Sequence, residues 1–491
     1  MNRFEQLLSQ PEGKTLEFKR DLSSPKPILK TLVAFANTAG GRLIVGVDDG
    51  KNIVGVGDPL DAEERICNQI ADAISPRLVP NVELMTVDNK TLLIVEVYLS
   101  GSRPHWLRAE GQESGVYVRL GSSNRQADRE LIAELRRGVE GVAFDEMPMP
   151  ALTLEDLDVK AAREIFGETR RLDEKTMTTL KLVIKEQGRL VPTHGGMLLF
   201  GKERLFHFSD AWIQCGRFIG TDKVDIFDHI DLHDHLPQAV DSIMLFLKKH
   251  AMRGADFSEI RRKDVWSIPL GILREAVINA LVHSDYSQRG APVRIAFFDD
   301  RIEIENPGIL LPGMTIEDMK QGVSRIRNPV IARVFRELKL IEQWGSGVRR
   351  IFTEAQELGL PEPQIVEIGM RVRFIVPLLE PIFVKSGKQH VGEQITQQVT
   401  QQVTQHVTLQ VRLLLENTIG EMSRAELMAA LSLKDRVNFA KKYLEPALAE
   451  DLIALTQPDS PQSPTQKYRL TDKGLELLNQ MKGLFNSGTA S

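Results

Sequence analysis

Glu275, Asn279 and His283 stand four residues apart in REAVINALVH, a spacing that lines up a carboxylate, an amide and an imidazole on one helix face. A carboxylate one turn from an amide can activate water beside a metal ion. The pair is common in structural helices, so its weight comes from the company it keeps. Glu305-Asn306-Pro307-Gly308-Ile309-Leu310-Leu311-Pro312-Gly313 follows a strand pattern, Ser324-Arg325-Ile326-Arg327-Asn328-Pro329 comes next, and Gly345-Ser346-Gly347 opens a helix. Glycines at a helix start let backbone N–H groups approach phosphate, which the helix dipole also favours. The set points to a nucleotide site.

Other motifs carry less. Gly196 to Lys202 has Walker-like spacing, but its interior is apolar and Glu203 replaces the magnesium-binding hydroxyl. Gly46 to Lys51 puts Asp48 and Asp49 where phosphate oxygens would sit, and like charges repel. Asp228, His229, Asp231, His233, Asp234 and His235 are metal-ligating types; they read as a loop, with Asp234 as N-cap of the following helix. Arg103, His105, Trp106, Arg108, Tyr117, Arg119, Arg125 and Arg129 mix basic and aromatic side chains suited to phosphate contact and base stacking. Glu110, Glu113, Asp128 and Glu130 offset part of that charge.

These residues need scaffolds. Ile28 to Asn37 reads as a helix, Gly40-Gly41 as a turn and Leu43 to Val47 as a buried strand. Strands follow at Asn81 to Val87, Leu92 to Leu99 and Val116 to Leu120, with a helix from Arg129 to Gly138 and a boundary at Met147 to Pro150. Leu236 to His250 and Leu270 to His283 read as helices, and Val293 to Phe298 with Ile302 to Glu305 as a hairpin. Beyond Pro381, Ile395, Val399, Val403, Val407 and Val411 recur every four residues, as either an associating helix or a polar tether. The tail gives helices at Val411 to Asn417, Arg424 to Leu431 and Asp435 to Glu450. Two strand-like runs, Leu452 to Leu455 and Lys467 to Thr471, follow. That is the outline of a winged helix or a protein-docking module.

The chain has 491 residues, 62 basic against 67 acidic, and a net charge of −5. That length exceeds a single small module, and nucleic-acid contact requires a local patch. Cys67 and Cys215 cannot build a disulfide framework or a four-thiolate zinc site, which fits a reducing cytoplasm. No apolar run reaches membrane-spanning length.

REAVINALVHSDYS, FDDRIEIENPGILLPG, SRIRNP and EQWGSGVRRI, in that order, resemble the divergent GHKL ATPase module of bacterial "RecG-like" transcriptional regulators. The resemblance implies Glu275 as general base, Asn279 as Mg²⁺ ligand, and Gly308, Gly313, Gly345 and Gly347 along the nucleotide. His283, Asn306 and Arg327 join its contacts, with Asn306 standing where the family usually has an adenine-reading Asp. No helicase motor motif accompanies it.

LEFKRD, AFANTAGGRLIVGVDDG and YVRLGSSNRQA resemble the Alba-like core shared with Schlafen proteins. In Schlafen nucleases, two glutamates five apart and a later aspartate bind a divalent metal. The resemblance places Glu12, Glu17 and Asp49 on those positions, holding Mg²⁺ or Mn²⁺, with Lys19 at the scissile phosphate. Nucleic-acid contact falls to Arg103, Trp106, Arg108, Tyr117, Arg119 and Arg125.

The expected architecture is an α+β multidomain chain. It comprises a Schlafen/Alba-like α+β domain over 1–140 and a GHKL (Bergerat-type) α/β sandwich with a preceding helical region over 151–380. A Val-Thr-Gln linker or helix over 381–410 and a winged helix over 411–482 complete it. The expected function is an ATP-binding, nucleic-acid-binding regulator, a homodimer or higher homo-oligomer outside the membrane, binding DNA or RNA. The alternative is a divalent-metal-dependent ribonuclease, a defence effector gated by the ATPase-like module.

Overall fold

The computed structural model describes residues 7–167, 170–251, 253–256, 263–341, 347–384 and much of 414–478. They divide into two compact units, 1–385 and 386–491.

The first unit begins with strand β1 (Leu16–Lys19), helix α1 (Pro25–Asn37) and strand β2 (Gly41–Val45). Prolines at the start of α1 give up N–H groups that a first turn leaves unbonded anyway. Ile28, Leu32, Val33, Phe35 and Ala36 are buried on β2. Helix α2 (Pro59–Ala73) and strands β3 (Asn81–Val87) and β4 (Lys90–Val97) complete a four-stranded sheet in the order β1-β2-β4-β3, with β1 and β2 parallel. Hairpin β5 (Tyr117–Leu120) and β6 (Ser123–Gln126) then leads into helix α3 (Arg129–Glu140). Buried Asn37 fastens this layer: its amide donates to the His105 and Tyr117 carbonyls and its oxygen accepts from His105 N–H.

The second layer follows without a slack linker. Met149 N–H donates to the Pro192 carbonyl and His194 N–H to the Met147 carbonyl, so the Met147–Pro150 stretch, although proline-rich, is pinned in strand-like pairing. Proline removes donors only at alternate positions there, and the intervening methionines keep theirs.

Helix α4 (His194–Phe200) is the Walker-like segment, buried and capped by Thr193. A six-stranded sheet forms from β7 (Ile213–Ile219), β8 (Asp225–Leu232), β9 (Val293–Phe297), β10 (Arg301–Pro307), β11 (Gln364–Ile368) and β12 (Arg371–Pro377). Its order is β8-β7-β9-β10-β12-β11. Between β8 and β9 run α5 (Leu236–His250) and α6 (Leu270–His283), both with the bounds read from sequence; α7 (Pro329–Glu337) and α8 (Gly347–Glu357) follow β10. Residues 228–232 lie in a strand rather than a loop. The N-cap position of α5 is His235, while Asp234 accepts from the Ser242 hydroxyl.

In the second unit, Met422–Ser423, Lys467–Leu470 and Ile453–Leu455 form a three-stranded antiparallel sheet in that spatial order. Helix Arg424–Ala430 starts with a reciprocal Ser423/Glu426 capping box. The helix read over 435–450 is described from Phe439, as a π-turn over Ala440–Leu444 continuing into Glu445–Ala449. The Val-Thr-Gln repeat lies outside the described residues. No described helix is long and apolar enough to cross a membrane.

Asp145 is fully buried, and its carboxylate accepts from Val330 N–H at 2.7 Å and Ile331 N–H at 3.0 Å, capping α7 from a distant segment. Burial pushes its pKa up from 3.8 to about 7, outweighing the two amide bonds. A carboxyl raised in the folded state stabilises fully below about pH 4, and that contribution fades as pH rises through its folded pKa. Asp145→Asn keeps an acceptor for the two amides and cannot ionise. Its melting temperature is expected to match wild type near about pH 4 and exceed it near about pH 8 by scanning calorimetry; a constant offset across that range would refute the burial account.

Candidate functional site

Helix α6 buries Ile272, Leu273, Ala276, Val277, Ile278, Ala280, Leu281 and Val282. Apolar contact on so many sides leaves one polar face, carrying Glu275, Asn279 and His283, and all three line a cavity of about 500 Å³. That volume suits a nucleotide-sized ligand. The floor comes from the sheet, through Ile304, Asn306 and Phe374, and the far wall from Ile309 to Leu311 and Ser324 to Arg327.

Asn279 donates its amide to the Glu275 carbonyl at 2.9 Å and to Glu275 Oε1 at 3.1 Å. Carbonyl and carboxylate only accept, which fixes the amide nitrogen on that side and turns Oδ1 away. Glu275 Oε2 meets Arg350 at 3.4 Å. Gly347, the first residue of α8, sits so close that a Cβ there would come within 1.7 Å of Glu275 Oε1. Asn306 similarly donates to the Pro307 carbonyl at 3.1 Å. Burial, with the Arg327 charge beside it, lowers the His283 pKa to about 4, so the imidazole is neutral near pH 7.

Glu275, Asn279, His283, Asn306, Arg327 and Gly347 thus face one space. Gly308 and Gly313 do not line it. Gly308, at φ +97°, makes room for Arg327 and Asp285, where a Cβ would fall 2.4 Å from Arg327 Nη1. Gly313 donates its N–H to the Thr38 carbonyl at 2.6 Å and packs on Leu99. Both glycines therefore serve backbone turns and close packing instead of phosphate. Gly345 lies outside the described residues.

The cavity wall is held by the N-terminal layer. Arg327, itself buried, pairs with Glu134 of α3 at 2.8 Å and donates to the His283 carbonyl at 2.8 Å and the Ile309 carbonyl at 2.6 Å. Glu367 of β11 accepts from Lys14 Nζ at 2.7 Å and, through its other oxygen, from Leu310 N–H at 2.8 Å. Burial lowers the Lys14 pKa against the pull of Glu367. Consecutive wall residues are thereby tied to Glu134 and Lys14. Neither partner was legible in the sequence, because the pairs span 193 and 353 residues.

The carboxylates read as a metal set are placed differently. Glu17 is buried between Arg119 and Lys19, paired with both. Glu12 accepts from Phe18 N–H at 2.9 Å, and Asp49 is exposed. Among the described residues no group of three or more His, Cys, Asp or Glu side chains is arranged to hold a metal. A divalent ion at Glu17 would have to displace two cations already neutralising it.

Two residues read as nucleic-acid contacts are occupied inside the fold. Arg119 donates to Glu17, to the Gly13 carbonyl and to Asn124; Tyr117 is buried and donates to Glu110 at 2.5 Å. A buried guanidinium needs these partners to offset lost hydration, which removes both residues from a contact surface. Trp106 packs against an apolar cluster with Ile309, and Arg103 is half-buried. Arg108 and Arg125 are exposed.

Residues 12–128 match the family model described as "Schlafen, AlbA_2", and residues 290–376 that of "Putative ATP-dependent DNA helicase recG C-terminal". Residues 409–471 match "Filamentation induced by cAMP protein Fic-like, C-terminal domain". The chain therefore carries a Schlafen AlbA_2 domain followed by an ATPase-like module of the RecG C-terminal type. The matched ATPase-like span begins after α6.

Among solved structures, the DIP2311 protein from Corynebacterium diphtheriae is 19% identical over 97% of this chain and 98% of that one, with a TM-score of 0.41. The N-terminal domain of a "Putative ATP-dependent DNA Helicase RecG-related Protein" from Nitrosomonas europaea is 31% identical over 26% of this chain and 94% of its own, with a TM-score of 0.21. A Fic family protein from Desulfovibrio desulfuricans G20 is 17% identical over 71% of this chain and 77% of its own, with a TM-score of 0.14. No curated protein matches the chain.

Glu134→Ala would leave Arg327 buried without its carboxylate, and the expected cost is about 3–5 kcal/mol of unfolding free energy. Glu134→Gln retains an acceptor and should lose less. Urea denaturation measures both, and equal stabilities for Glu134→Ala and wild type would contradict the pairing described.

Proposed function

We propose that this chain is an ATP-binding, nucleic-acid-binding regulator whose nucleotide site sets how its domains and copies engage nucleic acid. The observation that carries the reading is the convergence of Glu275, Asn279 and Asn306 on one cavity whose wall is fastened to the AlbA_2 domain. The RecG C-terminal-type and AlbA_2 matches support it.

The residues present fit ATP·Mg²⁺. Asn279 would ligate magnesium through Oδ1, the nitrogen being held by Glu275. Glu275 would accept a proton from water at the carboxylate crowded by Gly347. Asn306 would offer its oxygen to the exocyclic amine of adenine, its nitrogen being committed to the Pro307 carbonyl. The apolar side chains of Ile304 and Phe374 would bury the base. When bound, the nucleotide supplies a cleavable phosphoanhydride and a large negative charge; the surrounding chain supplies orientation and the dry wall.

Regulation requires that nucleotide bind two arrangements of the protein with different affinity. The ties from Ile309 to Arg327 and Glu134, and from Leu310 to Glu367 and Lys14, are the route by which a moved wall would be felt in the AlbA_2 domain. Nucleic acid, DNA or RNA, would contact Arg108 and Arg125 on that domain and the 411–482 segment as a winged helix. A homodimer in a reducing cytoplasm, with the Val-Thr-Gln repeat as a seam, completes the reading.

ATP·Mg²⁺ is expected to raise the wild-type melting temperature by several degrees, as ligand binding to the folded state must. Asn279→Ala should abolish that rise without lowering the apo melting temperature. Binding of labelled duplex DNA and single-stranded RNA should weaken steeply with salt and change when ATP is added. A wild-type protein that ATP does not stabilise would sink the nucleotide reading, and RNA cleavage lost in a variant of the exposed Asp49, Asp49→Asn, that melts like wild type would replace the regulator with a nuclease.

A further inference from the structure

The six-stranded sheet has two faces, and the cavity uses one of them. Cys215, Ile295, Ile304 and Phe374 lie side by side on the face where α5 and α6 pack, and they join the main core there. Side chains alternate along a strand, so Gln214, Arg294, Glu305 and Arg373 form a row across the other face, in register from β7 to β12. Asp231 continues the row on the edge strand β8. Gln214, Arg294 and Arg373 are half-buried and Asp231 is exposed, so this face meets solvent.

Charge is unevenly matched along that row. Glu305, opposite Arg294, accepts from Arg373 at 2.8 Å and from Arg371 at 3.1 Å. Arg371 also donates to the carbonyl of Pro292, two residues before Arg294, at 3.1 Å. With its cross-strand carboxylate taken by two other guanidiniums, Arg294 has no hydrogen-bonded or ion-paired partner among the described residues. Gln214 stands between it and Asp231.

An aromatic pair adjoins this surplus. Trp212 precedes β7 and His233 follows β8, with ring centroids 6.0 Å apart. Because β7 and β9 run parallel with Ile213 beside Val293, Trp212 falls next to Pro292, whose carbonyl holds Arg371. Trp212 is half-buried and His233 exposed. About 20 Å along β7 by strand rise, half-buried Phe218 stacks on Phe298 at 5.2 Å, and the Arg301 guanidinium lies 4.1 Å from the Phe298 ring centre. Gly216 and Ala296, neighbours in register between the two aromatic sites, add little bulk.

We propose that this sheet face binds single-stranded nucleic acid, with a base stacking on Trp212 and the adjoining phosphate taken by Arg294 and Arg371. Accessible rings beside guanidiniums are what sequence-tolerant single-strand binding requires, and a phosphate supplies the acceptor oxygens that Arg294 lacks. A duplex keeps its bases stacked and cannot offer them to Trp212. The proposal shares with the regulator reading only the class of ligand; it uses neither the AlbA_2 arginines nor the nucleotide.

The test uses the full-length protein with Trp212→Leu, Trp212→Phe, Arg294→Gln and the Trp212→Leu/Arg294→Gln double variant, each required to melt like wild type. Anisotropy of a labelled thymidylate 20-mer reports binding. Trp212→Leu should weaken it about tenfold, with Trp212→Phe keeping most of the affinity. An abasic 20-mer, which has phosphates and no bases, should bind wild type and Trp212→Leu alike, and so should duplex DNA. Arg294→Gln should reduce the slope of log affinity against log salt by about one, and it keeps the test decisive if Trp212→Leu unfolds. Arg108→Ala/Arg125→Ala separates the two surfaces: a loss there with full binding in the sheet-face variants would uphold the AlbA_2 contact and overturn this one, and the reverse result would do the opposite. Wild-type affinity and salt slope in the double variant would overturn the proposal; joined to an altered sedimentation coefficient, they would reassign the face to contact with a second copy.

Discussion

A buried guanidinium must find an acceptor for its donors or lose the hydration energy it gave up. Arg327 meets that demand by reaching three places at once: Glu134 on α3, the helix that follows the matched AlbA_2 span, the His283 carbonyl at the end of α6, and the Ile309 carbonyl on the cavity wall. Because each bond fixes a different element, the requirement to satisfy one charge sets the relation among α3, the helix bearing Glu275 and Asn279, and the loop opposite them. Gly308 is part of the same solution, since its missing side chain is what admits the Arg327 head.

Other bonds between distant segments add to that frame. Glu367 is shared by Lys14 and the Leu310 amide, Gly313 donates to Thr38, and Asp145 caps α7, the helix that begins two residues after Arg327. The AlbA_2 domain is therefore one side of the frame that shapes the cavity. Its own interior follows the same rule: Arg119 draws Glu17 inward together with the Gly13 carbonyl, next to the Lys14 that reaches Glu367. A change at the cavity wall and a change at Glu17 are separated by a short run of packed, hydrogen-bonded groups.

Several elements were legible from local pattern alone. The periodicity of Leu236–His250 and Leu270–His283 gave both helices their bounds, and the four-residue spacing of Glu275, Asn279 and His283 put them on the face that the cavity uses. These depend on contacts within a few residues, which spacing encodes. Where the reading went astray, a residue type was right and its use was decided elsewhere. Tyr117 and Arg119 are an aromatic and a base in a basic stretch, yet Glu110 and Glu17 take them into the core. Gly308 and Gly313 are flexible glycines in a loop, yet close packing accounts for both, Gly308 against Arg327 and Asp285 and Gly313 against Leu99.

Local pattern in the chain was enough for the α+β class, the helix presenting a carboxylate and an amide together, and the AlbA_2 signature. These follow from hydrophobic period and from short motifs that act over one or two turns. Which charges line the cavity and which hold the fold emerged from long-range packing. Lys14 with Glu367 and Glu134 with Arg327 join parts far apart in the chain. Electrostatic pairing and desolvation act through space, so nothing in the local spacing of these residues announces their partners.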